Sequence, residues 1–175
     1  MAGRRGPDRR LSWKIRCKRR PDVGIGIAVD LPTVTSLQEL AELTNQTPAP
    51  FVRWSEGPEA DLRQHTSFDD LTHTELAGLS ANSLAVEDWW DGPEDLWLAR
   101  RIYDYLHIRR RRPAKVRPWV MEGEEVGRGP DNEPLVRCRR PVAWIAEEVV
   151  DESIRLIEAA GGDWGPLDRQ GAADS

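Results

Sequence analysis

VRPWVMEGEEVGRGPDNEPLVRCRRPVAW, residues 116–144, decides the fold. Residues 116–121 are rich in β-formers and read as one strand. Residues 134–144 read as a second, longer strand or a bent pair. Between them GEEVGRGPDNE, 123–133, carries glycines at 123, 127 and 129 and a proline at 130, which predicts a sharp, fixed connection. Glu133 closes it, just before the second strand. It reads either as the rim of a turn or as a loop-borne carboxylate at the mouth of a site.

Working outward, residues 146–160 predict a last helix with Val149, Val150, Ile154 and Ile157 inward. Glu147, Glu148, Asp151 and Glu152 crowd its first turns, where they oppose the positive end of the dipole. Gly161-Gly162 ends it. On the other side, Asp91 or Gly92 caps a middle helix with Pro93 in its first turn. Leu96, Ala99, Tyr103 and Leu106 form its apolar stripe, widened by Ile102. Arg109 to Arg112 and Pro113 close it, and such a cluster suits a helix C-terminus without any phosphate.

Further upstream, FVRWS, 51–55, alternates as a strand does. Val52 and Trp54 fall on one face, and Phe51, Arg53 and Ser55 on the other. Ser36-Leu37-Gln38-Glu39 is a capping box in which the Ser36 hydroxyl accepts from the Glu39 amide and the Glu39 carboxylate reaches the Ser36 amide. Leu37, Leu40, Ala41 and Leu43 then stripe a short helix that ends at Asn45 and the prolines beyond. Residues 59–92 are the least regular. They hold either a functional loop or short strands, with LAGLSANSL, 76–84, suggesting a short strand and a turn around Ser80. The sum is an α+β class: a single compact domain over 31–162, mainly antiparallel sheet flanked by about three helices, with a flexible tail at 163–175.

Charge is unevenly placed. Residues 1–22 hold nine Lys/Arg against two Asp, or +7, which leaves −12 on the rest of a chain whose net charge is −5. Unpatterned charge with few apolar residues predicts a disordered basic extension over 1–30, or the translation of an upstream start codon. Nucleic acid is not the expected partner, because unpatterned charge runs are usually solvated tails. No apolar run reaches the length of a membrane span and no secretory signal is present, so a cytoplasmic location is expected. Cys17 and Cys138 form no disulfide framework or metal spacing. His65, Asp69 and His73 stand four apart, but their segment does not read as helical, so no metal site is expected. A phosphate loop, a dinucleotide fingerprint after a strand and a nucleophile elbow are all missing from the sequence.

FVRWSEGPEAD (51–61), LAGLSANSL (76–84) with WWDGPEDLW (89–97), and RPWVMEGEEVGRGPDNEPLV (117–136) resemble, in that order, a family of small actinobacterial proteins of no assigned function. The resemblance covers roughly residues 31–155. It implies a variable extension before them and brings no activity. A second resemblance is to ADP-ribosyltransferase-like folds, which use an Arg on an early strand, a Ser opening a middle strand and a Glu at a late strand start. The order here is Arg53, Ser80 and Glu133. By that resemblance Arg53 forks onto a phosphate of NAD, Ser80 orients the nicotinamide ribose, and Glu133 stabilises the cationic sugar as nicotinamide leaves. Two departures stand: Leu79-Ser80-Ala81 replaces the family's Ser-Thr-Ser run, and Asp131 occupies a place usually held by Gln or Glu.

Each residue also has a structural reading. Arg53 can pair with an acid across the sheet, Ser80 can cap a turn, and Glu133 can end one. The alternative function is a non-catalytic interaction module, of immunity or antitoxin type. It would use the acidic, tryptophan-rich VEDWWDGPEDLW, 86–97, against another protein. Convergence of Arg53, Ser80 and Glu133 would favour the enzyme, and exposure of Trp89 and Trp90 the module.

Overall fold

A computed structural model describes residues 30–69, 73–111 and 115–161. The expected extension before residue 30 and the tail after 161 lie outside them. The order is β1 (Thr33–Val34), α1 (Leu37–Gln46), β2 (Pro50–Ser55), α2 (Pro58–Gln64), β3 (Phe68–Asp69), β4 (Thr74–Glu75), β5 (Leu79–Ser80) and β6 (Asn82–Ser83). Then follow α3 (Glu94–Tyr103), α4 (Leu106–Arg111), β7 (Arg117–Arg128), β8 (Pro134–Ile145) and α5 (Glu147–Ala159). The class is α+β, as expected.

The β7–β8 hairpin is the spine. β7 runs 12 residues and continues through Gly123 to Arg128, which the sequence assigned to the turn. The turn itself is shorter. The Gly129 amide donates to the Glu133 carbonyl at 2.8 Å, and the Asn132 amide to the Gly129 carbonyl at 3.0 Å, with Asn132 at φ 61°. Asparagine tolerates that left-handed backbone better than most residues. Register shifts between Val120/Met121, Glu122/Gly123 and Glu125/Gly127 break the ladder three times. Each such irregularity bends a strand and raises its twist, so the hairpin coils rather than lying flat.

That coiling lets the sheet curl back on itself. β2 pairs antiparallel with β7, β8 pairs antiparallel with β7, and β1 adds in parallel to the far end of β8. Residues 79–83 then bridge the two edges: Leu79 and Ser80 pair with Val136 and Leu135 of β8, while Asn82 and Ser83 pair with Val52 and Phe51 of β2. The sheet is therefore mixed, and among the described residues its one parallel pair is β1–β8.

Two cores result. On the outer face α1, α3 and α5 bury Val52, Trp54, Val120, Ala143 and Ile145 together with Leu40, Trp97, Leu98, Val149 and Ile157. The inner cluster is made by strand residues and the one residue between β5 and β6: Phe51, Leu79, Ala81, Trp119, Met121 and Val136. The alternation read in 51–55 is thus the division between the cores. α1 caps as expected at Ser36, whose Oγ accepts from the Glu39 amide at 3.2 Å. The Glu39 carboxylate, however, takes the Thr35 amide and hydroxyl at 2.7 and 2.9 Å, one residue before the expected partner. These bonds favour the charged carboxylate and hold it below its usual range.

The middle helix also departs from expectation. It breaks at Asp104 and Tyr105 before α4, and Trp97, Leu98, Arg100 and Arg101 are buried beside Ala99 and Ile102. α3 packs against α1 and α5 as well as the sheet, so its buried sector is wider than one stripe. Arg109 pairs with Glu147 at the start of α5, which gives part of the arginine cluster a specific partner.

Candidate functional site

Arg53 lies on the inner side of β2, opposite Trp119 of β7. β2 is followed by α2, a helix the sequence pattern did not show, and α2 carries Asp61 back over the strand. Asp61 is 2 % exposed. Arg53 Nη2 donates to Asp61 Oδ1 at 2.9 Å. Arg53 Nε stands 2.9 Å from Oδ2 as an ion-pair contact, out of line for a hydrogen bond. Arg53 Nη1 donates to Ser67 Oγ at 3.0 Å and to the Ser80 carbonyl at 2.6 Å. The Ser80 amide donates to the same Ser67 Oγ at 2.9 Å. Beneath, Ser55 Oγ donates to Asp61 Oδ2 and accepts from Trp119 Nε1 at 2.9 Å and from the Gly57 amide at 3.1 Å. The acid that pairs with Arg53 is therefore on α2 and not across the sheet.

The side chain of Ser80 faces another set of groups. Its Oγ is 3.3 Å from the Tyr105 hydroxyl and 3.4 Å from Glu133 Oε1. Glu133 Oε2 accepts from the Asp131 amide at 3.0 Å. Glycine at 129 leaves room for the carboxylate in this position, since a Cβ there would overlap it and the Glu133 side chain would have to move aside. Glu133 thus closes the Gly-Pro turn with one carboxylate oxygen and faces Ser80 with the other. Ser80, Tyr105 and Glu133 are all half-buried.

The three residues named from the sequence meet, and Ser80 is the joint. Arg53 reaches Ser80 through its backbone, Glu133 through its hydroxyl. Sequence reasoning missed Asp61, Ser67 and Tyr105. An inward acid on a short helix leaves no apolar period, and a Tyr beyond a helix end carries no spacing signal.

Burial pushes the Tyr105 hydroxyl up to about 12, with the Glu133 charge acting in the same direction and the Ser80 contact and Arg53 opposing. Tyr105 is thus a protonated donor at neutral pH. Burial likewise pushes the Cys138 thiol up to about 11, helped by the charge of Asp61. A thiol so held is a poor nucleophile. The arrangement offers one carboxylate acceptor beside two hydroxyls, backed by a neutralised Arg–Asp pair.

Trp89 and Trp90, on the loop before α3, pack against each other and against Trp97. Trp97 is fully buried, whereas Trp89 is 51 % exposed. Among the described residues no helix is long and apolar enough to cross a membrane. The chain matches no curated protein and no solved structure. It does match one family over residues 28–165, a span that takes in the stretches 51–61, 76–84, 89–97 and 117–136, and so the chain belongs to the family of unknown function DUF6098.

Proposed function

We propose that Glu133, Ser80 and Tyr105 bind the ribose of NAD and that the reaction is ADP-ribosyl transfer or NAD hydrolysis. The observation that supports this reading is the meeting of Glu133 Oε1, Ser80 Oγ and the Tyr105 hydroxyl within 3.4 Å steps, from segments far apart in sequence. A ribose presents two neighbouring hydroxyls, which a carboxylate accepts and a protonated tyrosine complements. As the bond between C1′ and the nicotinamide nitrogen breaks, nicotinamide leaves with the electron pair and the sugar becomes cationic. Glu133 stabilises that cation as glycosidase carboxylates do. Water, or a nucleophile on an acceptor, then bonds to C1′ and gives up a proton.

The role for Arg53 differs from the fold analogy. Its guanidinium is engaged by Asp61, Ser67 and the Ser80 carbonyl, so it holds the Ser80 backbone rather than forking onto a phosphate. The test is calorimetry with NAD together with nicotinamide release measured by chromatography. Glu133→Gln should keep binding, because its amide oxygen can still accept from Asp131, and lose turnover by about 100-fold or more. No heat at millimolar NAD and no nicotinamide would overturn the reading.

A further inference from the structure

The loop that leads into α3 is built to hold one large apolar ring in solvent. Trp89 packs edge-on against Trp90 and Trp97, with ring centroids 6.0 and 5.6 Å away, and Trp90 meets Trp97 at 5.4 Å. Trp97 is fully buried, and the Arg101 guanidinium lies 4.2 Å from its ring centroid. The loop backbone is fixed as well. The Trp90 amide donates to the Glu87 carbonyl at 2.9 Å, and Trp90 Nε1 donates to the Pro93 carbonyl at 3.1 Å. A Cβ at Gly92 would come within 2.7 Å of the Trp90 ring, so only glycine lets the loop close this tightly. Trp89 is thus anchored on a buried tryptophan yet remains 51 % exposed, next to Val86 at 41 %. Exposing that much rigid apolar surface forgoes burial free energy, and tryptophan is among the residue types enriched where protein interfaces concentrate their binding energy.

Apart from the buried Arg101, the charged residues of this loop and of the first turn of α3 have one sign. Glu87, Asp88, Asp91, Glu94 and Asp95 are all exposed. Glu94 accepts from Asn45 and Asp95 from the Leu96 amide, both neutral donors, and among the described residues no Lys or Arg pairs with any of the five. This contrasts with the β7–β8 hairpin, where Glu122, Glu124 and Glu125 each have an arginine. An acidic rim about an aromatic face complements a cation that can stack, which is the chemistry of arginine.

We propose that Trp89 and its acidic rim dock an arginine-rich segment of another protein. The guanidinium stacks on the Trp89 ring while Asp88 and Asp91 take neighbouring charges. This surface is separate from the Glu133 cluster, and either can fail without the other.

The test uses the full chain and nona-arginine as the probe, with calorimetry in about 50 mM and about 300 mM salt. Binding should weaken at the higher salt, and nona-lysine should bind several-fold more weakly because an ammonium stacks less well. Trp89→Ala leaves the charge unchanged, so loss of about tenfold or more in affinity separates docking from diffuse attraction. Asp88→Asn with Asp91→Asn disturbs no packing and should weaken binding and flatten its salt dependence. No binding, or binding that Trp89→Ala leaves intact, overturns the proposal. So does zero-length carbodiimide coupling of Lys14 or Lys18 to Asp88, Asp91 or Glu94 within one chain, since the occupant would then be the chain's own basic segment.

Discussion

The two faces of β2 use neighbouring residues for opposite ends. Val52 and Trp54 point outward into a dry core under α1, α3 and α5, where stability follows from apolar area removed from water. Arg53 and Ser55 point inward to a polar network, where every group depends on its partners. A buried charge pair adds little net stability against a hydrophobic replacement, but breaking it is costly because one charge is left unpaired. The outer face therefore tolerates apolar exchanges of similar volume and not charge, while the inner face tolerates neither partner's loss alone.

Four single substitutions and one double variant break or sharpen that contrast. Val52→Asp should have the largest effect, since Val52 is fully buried and an unpaired carboxylate there forces neutralisation or unfolding. Circular dichroism should show no cooperative transition. A folded Val52→Asp chain would refute the assignment of the outer core.

Asp61→Ala should come next, at about 3–5 kcal/mol by chemical denaturation, because it strands Arg53. Arg53→Met combined with Asp61→Leu should recover most of that loss. If the double variant is as unstable as the single one, the network contributes more than a neutralised pair. Ser55→Ala should cost about 1–3 kcal/mol, since it removes the acceptor for Trp119 Nε1 and the Gly57 amide and one donor to Asp61.

Tyr105→Phe should be the mildest at neutral pH, about 1 kcal/mol or less, because one long contact to Ser80 is lost. Its signature lies in alkali. The folded hydroxyl is raised from 10.0 to about 12, so the folded state favours the protonated phenol. That contribution is present below pH 10 and is lost as pH rises through about 12. Wild-type protein should lose stability across this window more steeply than Tyr105→Phe. Equal slopes would remove Tyr105 from the buried cluster.

The outer face was legible in the sequence because burial there writes a period. Leu37 and Leu40, Val52 and Trp54, and Val149 and Ile157 all fall where apolar spacing put them. The inner face was half legible. Arg53, Ser80 and Glu133 could be named by residue type and order, but the group that saturates Arg53 could not. Asp61 sits on a seven-residue helix with a glycine N-cap and no side-chain cap, so neither a stripe nor a capping signal announces it. The strand extension through Gly123 to Arg128 was hidden by its glycines, which read as turn residues but occupy ladder irregularities. Trp89 and Trp97 look alike in sequence, and only packing separates the exposed ring from the buried one.

The five-residue bridge at 79–83 has a consequence beyond shape. A strand at the rim of an open sheet carries unpaired amides and carbonyls that can recruit a strand from another molecule. Here the bridge lies along β8 with Leu79 and Ser80 and along β2 with Asn82 and Ser83. Two further amides hold it in place, Ala81 at its middle donating to the Pro134 carbonyl at 3.1 Å and Leu84 just beyond it to the Pro50 carbonyl at 2.9 Å. One short segment thus covers two rims at once and denies foreign strands a template there, a safeguard against fibril-type stacking that ordinarily takes a separate device at each rim.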